Sequence, residues 1–208
     1  MATYVAAMIH DYDHPGLNNL FLINTVDPKA LLYNDKAVLE NHHLSASFSI
    51  LQKPEYNFLA HLPKVEYKLF REAVIEMVLA TDLSQHLTLL SLFKNKLATS
   101  YNPYEVREDR LLMLKILMKC SDVSNPSKDW SMYSKWVELI SEEFCRQGDI
   151  EKLMGLPVSP FMDRENMNIP SCQIGFIDYV VLPLFEAFDK YMHFDGLLDV
   201  IRANREKW

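Results

Sequence analysis

Two histidines and two aspartates fall within five residues at His10-Asp11-Tyr12-Asp13-His14. Imidazole nitrogen with carboxylate oxygen is a donor mix that suits zinc, whereas carboxylate plus water suits magnesium or manganese. The run borders an apolar segment, residues 2–9, where four unpaired polar groups are expensive. That density points to a metal site in which Asp11 is placed to bridge two ions. The plain alternative is a solvated polar turn.

Such a site draws further ligands from remote parts of the chain. The best candidate is Asp122, in Cys120-Ser121-Asp122-Val123-Ser124-Asn125-Pro126, where another buried helix ends. A second cluster, Glu40-Asn41-His42-His43, lies on a helix whose buried stripe is Val38, Leu39, Ala46 and Ile50, and His42 there reads as a satisfied core histidine. Thr81-Asp82 interrupts an apolar stretch, either capping a bend or orienting a metal-bound water. Gln173-Ile174-Gly175-Phe176 sets an amide and an aromatic face at one helix start, a pair able to hydrogen-bond and stack a planar base. On spacing alone a Phe there is more often core. The chain carries no GxGxxG, P-loop, GxSxG or HExxH pattern, which leaves hydrolysis by metal-bound water as the surviving chemistry.

The elements that position these groups are helices. There are five glycines, apolar residues recur at spacings of three and four, and period-two alternation is nearly absent. The fold class is all-α. Helices are expected over residues 2–9 and 18–24, at Pro28 behind its Asp27 cap, and over 35–51 opened by Asp35. Further helices are expected over 63–97 with a bend at Thr81-Asp82, and over 104–119, 130–147, 173–191 and 197–204. Residues 157–170 read as the one long irregular loop.

At 208 residues, with 49% apolar and 24% charged, the chain has the length and composition of one folded domain. Its formal charge of -7 and lack of a Lys/Arg run disfavour nucleic-acid binding. Cys120, Cys145 and Cys172 are too scattered for a disulfide framework, which suits a reducing, cytoplasmic setting. No signal peptide and no membrane span of roughly 18 apolar residues are expected.

Taken in order, His10-Asp11-Tyr12-Asp13-His14-Pro15-Gly16, Leu39-Glu40-Asn41-His42-His43, Ala80-Thr81-Asp82, Ser121-Asp122-Val123-Ser124-Asn125-Pro126 and Gln173-Ile174-Gly175-Phe176-Ile177-Asp178-Tyr179 resemble the class I 3',5'-cyclic-nucleotide phosphodiesterases. The resemblance extends through Glu142-Glu143-Phe144, Gln147-Gly148-Asp149 and the closing Asn204 to Trp208. It implies a compact multi-helix bundle of the HD type and a signalling hydrolase that converts cyclic nucleotides to 5'-monophosphates, with cyclic AMP favoured over cyclic GMP. It further implies zinc held by His10, Asp11 and Asp122, and a magnesium or manganese ion bridged through Asp11, with Asp11, Asp122 and Glu40 catalytic. His14, His43, Thr81 and Asp82 match groups that hold the metal waters, and a hydroxide shared by the two ions would attack phosphorus. Gln173 matches the glutamine that bonds the purine, Phe176 and Ile140 match the clamp on its faces with Trp136 packed beneath, and Asn125 matches a contact to adenine. The implied partner is the cyclic nucleotide, with no nucleic acid and no membrane span, and a homodimer is compatible.

The family's domain opens with a further helical half carrying His-Asn-x-x-His, while nine residues precede His10 here. The expectation is therefore that residues 1–208 form the C-terminal two-thirds of one catalytic domain, truncated at its N-terminus. The absent motif holds a zinc ligand and the acid that protonates the leaving oxygen, a contribution typically worth about 10²- to 10⁴-fold. Weak activity of this chain alone is expected, and a truncated, non-catalytic nucleotide-binding or regulatory form is the competing reading. A different HD-type metal hydrolase, which would not need Gln173 and Phe176, is a third.

Overall fold

The computed structural model describes residues 1–208 and contains helices and no strands. The chain divides into two compact units, residues 1–119 and 120–208.

In the first unit, α1 (Ala2–Ile9), α2 (Asn19–Asn24), α3 (Pro28–Tyr33) and α4 (Val38–Leu51) precede α5 (Lys64–Leu79), α6 (His86–Thr99) and most of α7 (Arg107–Asp122). Its core gathers Val5 and Ala6 of α1, Leu44 and Phe48 of α4, and Phe70, Val74, Met77 and Val78 of α5. Helix α1 is buried only along that stripe, since Tyr4 and Met8 are exposed. A smaller cluster of Phe21, Leu22, Ala30, Val38 and Leu39 joins α2 and α3 to the start of α4. Burial of these side chains, each worth about 1.5–3 kcal/mol, fixes α1 and α4 where their polar ends meet.

The expected start of α4 at Asp35 is corrected to Val38. Asn34, Asp35 and Ala37 have φ of 54°, 61° and 43°, a left-handed run that cannot begin a helix. The expected helix over 63–97 is broken rather than bent. Helix α5 ends at Leu79, and Asp82 caps a short 3-10 turn, Leu83–Gln85, before α6. Helix α7 starts three residues late and runs on to Asp122.

The second unit holds a 3-10 turn (Asn125–Ser127), α8 (Trp130–Leu153), α9 (Ile169–Phe176), α10 (Leu182–Asp189) and α11 (Leu197–Glu206). Tyr133, Ile177, Leu184 and Ile201 are fully buried within it. Helix α8 continues past Gly148, where sequence suggests a stop. The glycine is there for another reason: a Cβ would lie 1.9 Å from the Met162 carbonyl oxygen. A π segment, Ile177–Val181, joins α9 to α10. Pro183 lacks an N–H and its ring collides with the carbonyl four residues back, and a widened turn is the usual remedy. The resulting helix, Ile169–Asp189, is by length and composition long and apolar enough to cross a membrane, contrary to the expectation of no such stretch. Its Asp178 accepts two hydrogen bonds from Arg205 of α11, and its Gln173 accepts one from Tyr133 of α8. Those bonds suit a helix packed within its unit.

Candidate metal and nucleobase sites

Helix α1 runs out at Ile9 into a tight turn, with Tyr12 N donating to Ile9 O and His14 N to Asp11 O. Asp13 takes φ 60° and Gly16 φ 72°, which reverses the chain and turns its side chains outward. The His10 Nδ1–H donates to the Ala7 carbonyl at 2.8 Å. A carbonyl can only accept, so the proton sits on Nδ1 and the Nε2 lone pair is left facing Asp11 Oδ2 at 3.2 Å. Two acceptors this close need a positive charge between them, either a second ring proton or a cation. The contact with His10 is also the largest cause holding the Asp11 carboxyl below its ordinary range.

His43 repeats the arrangement. It is 2% exposed, its Nδ1–H donates to the Tyr12 carbonyl at 2.6 Å, and its Nε2 lies 4.0 Å from Asp11 Oδ1. Burial pushes its pKa down, which keeps the ring neutral and its lone pair toward Asp11. His14 stacks on it with ring centroids 5.7 Å apart, and its Nδ1 accepts from Gly16 N at 3.0 Å. His42 is half-buried rather than core, with Nε2 2.7 Å from Asp13 Oδ2.

Glu40 joins this cluster from the first turn of α4. Asn19 donates to Glu40 Oε2 at 3.0 Å and accepts from Leu39 N at 2.8 Å, so α2 orients the carboxylate. Burial raises the Glu40 pKa, and the charges of Asp82 and Asp11 add to that rise. Glu40 thus carries its charge against burial and two neighbouring acids, a setting in which a divalent cation is stabilising. Asp82 also accepts from Ser84 N at 2.8 Å as the cap of its 3-10 turn, while Thr81 Oγ1 donates to Val78 O. His10 and Asp11 offer an imidazole nitrogen beside a carboxylate oxygen, donor types that fit a divalent ion. Asp122 is exposed and ends α7, one turn beyond Lys119, whose buried ammonium donates to Ala80 O at 2.9 Å.

The residues expected to meet the nucleobase belong to the second unit. The Trp208 Nε1–H, a donor only, meets the Tyr133 hydroxyl at 3.2 Å, so that oxygen accepts. Its own proton is then free to donate to Gln173 Oε1 at 2.8 Å. The relay leaves the Gln173 NH₂ as the end available to a ligand. Burial pushes the Tyr133 hydroxyl up to about 12, so it stays a donor across the neutral range. Ile140 is 37% exposed and Phe176 half-buried, as wall residues of an open pocket would be. Trp136 is 53% exposed and does not pack as an underlayer within this unit. Asn125 opens the 3-10 turn, which Asn204 secures by donating to Pro126 O and Lys128 O at 2.9 and 2.7 Å. Sequence reasoning passed over Asn19, Tyr133 and Trp208. Of these only Tyr133 left a trace, standing three and seven residues before Trp136 and Ile140 on one stripe of α8.

Known proteins are similar to this chain in sequence and fold. A profile of the 3'5'-cyclic nucleotide phosphodiesterase family matches residues 1–201. A probable 3',5'-cyclic phosphodiesterase of Caenorhabditis elegans is 43% identical over 97% of this chain and 29% of its own length. The cGMP-inhibited 3',5'-cyclic phosphodiesterase 3A of Rattus norvegicus is 45% identical over 91% of this chain and 17% of its own. A 3',5'-cyclic-AMP phosphodiesterase of Drosophila melanogaster is 42% identical over 97% of this chain and 32% of its own. The phosphodiesterase domain of the Salpingoeca rosetta rhodopsin phosphodiesterase superimposes with a TM-score of 0.93 at 36% identity, over all of this chain and 64% of that one. The chain spans less than a third of each of these curated relatives. With a family profile matching nearly its whole length and a solved member sharing its helices, this chain belongs to the 3'5'-cyclic nucleotide phosphodiesterase family.

Proposed function

We propose that the protein hydrolyses 3',5'-cyclic nucleotides to 5'-monophosphates, with cyclic AMP preferred to cyclic GMP. The observation that carries this reading is His10 Nε2 beside Asp11 Oδ2 at 3.2 Å, which sets an imidazole nitrogen and a carboxylate oxygen side by side at the end of α1. Zinc at His10, Asp11 and Asp122, with magnesium or manganese sharing Asp11, accounts for the donor types. Such ions would neutralise phosphate charge and acidify water, so that it attacks phosphorus near neutral pH. That also explains how a chain of formal charge -7 takes an anionic substrate.

The side chains divide the remaining work. The Ala7 and Tyr12 carbonyls accept from Nδ1 of His10 and His43, which turns both Nε2 atoms toward Asp11. Glu40, held by Asn19, and Asp82, His14, His43 and Thr81 order water around the ions. Gln173 offers its NH₂ to the purine edge, Phe176 and Ile140 close on its faces, and Asn125 meets adenine.

The test is turnover of cyclic AMP and cyclic GMP by the protein with zinc and magnesium, beside Asp11→Asn and Gln173→Ala. Activity lost with Asp11→Asn, and KM raised by Gln173→Ala, supports the proposal. Turnover that survives Asp11→Asn together with thorough chelation overturns it.

A further inference from the structure

The loop between α8 and α9, residues 154–168, is irregular in path but held to α8 at three places one turn apart. At Cys145 the thiol lies 3.8 Å from the Met167 sulfur. At Gly148 the helix backbone is pressed against Met162, leaving no space for a Cβ. At Glu151 a carboxylate only 3% exposed accepts from Ser159 N at 2.6 Å, from Ser159 Oγ at 2.7 Å and from Gln147 Nε2 at 2.9 Å.

A buried carboxylate is a poor way to gain stability, because its desolvation offsets most of what its bonds return. What it supplies is a fixed backbone position, since three converging donors leave one geometry. The constraint passes along the chain. Asn168 ends the loop and caps α9 through Ser171 N at 3.0 Å, and Gln173 and Phe176 follow within eight residues. Ile140 sits on the same α8 that anchors the loop.

The geometry points to Glu151 as a positioning residue for the nucleobase pocket: by fixing Ser159 to α8 it sets where α9 begins, and so the gap between Ile140 and Phe176. This rests on the pocket reading given above. Releasing the bond leaves the metal ligands of the first unit untouched, so the effect falls on base binding.

The experiment compares the protein with Glu151→Gln and the milder Ser159→Ala, measuring kcat and KM for cyclic AMP and amide exchange across residues 154–168. Faster exchange in the loop, with KM raised roughly tenfold and kcat kept within about twofold, is expected from loss of charge-assisted hydrogen bonds. Restoration of KM by Glu151→Asp supports the same conclusion. If kcat falls in step with KM, or if KM is unchanged in both variants, the inference is overturned. If the unaltered protein does not turn over cyclic AMP, or Gln173→Ala leaves KM unchanged, the pocket reading falls first and takes the inference with it.

Discussion

Tyr133 donates its hydroxyl proton to Gln173 Oε1 at 2.8 Å, and its direction is set by Trp208, which has only a proton to give. Trp208 thereby decides which end of the Gln173 amide is held by Tyr133.

Replacing Tyr133 by Phe removes that relay at nearly constant volume. Gln173 then turns freely, and preference between purines with opposite donor and acceptor patterns is expected to fall. The ratio of KM for cyclic GMP to KM for cyclic AMP should move toward one, with stability reduced by about 1 kcal/mol. Steady-state kinetics on both nucleotides, with thermal unfolding alongside, tests it. An unchanged ratio argues that the amide orientation is set elsewhere.

Metal removal should loosen the first unit. In the ion-free state the charges of Asp82 and Asp11 oppose ionisation of Glu40, and a bound cation favours it. At about 100 times its dissociation constant a ligand adds about 2.7 kcal/mol of stability. Chelation is therefore expected to lower Tm, and added zinc or magnesium to restore it. Asp11→Asn should abolish most of this response, because it removes both charge and ligand. A Tm indifferent to chelator in the unaltered protein would sink the prediction.

Much of this was legible from residue type and spacing. The His10–His14 run, Glu40, Asp82 and Asp122 stand out because a polar group beside a buried stripe is costly unless used, whereas Gln173 and Phe176 are weak on spacing and rest on the resemblance. The helices were legible from apolar periodicity, as α1 and α2 show, and the start of α3 from its Asp27-Pro28 cap. What was not legible depended on backbone conformation or distant approach. Nothing in Ala37 announces a φ of 43°, and the reason for Gly148 is a carbonyl fourteen residues away. The helix expected over 173–191 runs through Pro183, but nothing in its periodicity announces the π turn before that proline. Asn19 reaches Glu40 across 21 residues, a pairing with no local pattern.

Asn204 shows how such a distant contact supports the pocket. It is 2% exposed and both of its bonds run to carbonyls, Pro126 O and Lys128 O, so only an NH₂ fits. Asn204→Asp turns a donor into an anion facing two acceptors and is expected to cost about 3 kcal/mol or more. Asn204→Ala should cost less, about 2 kcal/mol, since the orphaned carbonyls can find water. Denaturant unfolding of the two variants tests the order, and the reverse order contradicts the assigned donor direction. Asn125, in the turn so secured, should lose order in both.

Acid should release the loop over residues 154–168 before it unfolds the helices. Arg164 bonds Glu142 and Asp149, and Lys152 bonds Asp163. These contacts hold Glu142 and Asp163 at about 2, below their ordinary 4.5 and 3.8. A folded-state pKa below the unfolded one means the contribution is fully present above the unfolded value and lost as pH falls through the folded one. The window therefore runs from about pH 4.5 down to 2. Both carboxylates are exposed, so salt should weaken the effect. Pepsin cleavage within residues 154–168 is expected to rise across that window at low ionic strength, ahead of loss of helical circular dichroism. In Arg164→Ala the rise should begin at higher pH, because Glu142 then titrates nearer its ordinary value. Cleavage that tracks helix loss, or is unmoved by Arg164→Ala, would show that the ion pairs do not hold the loop.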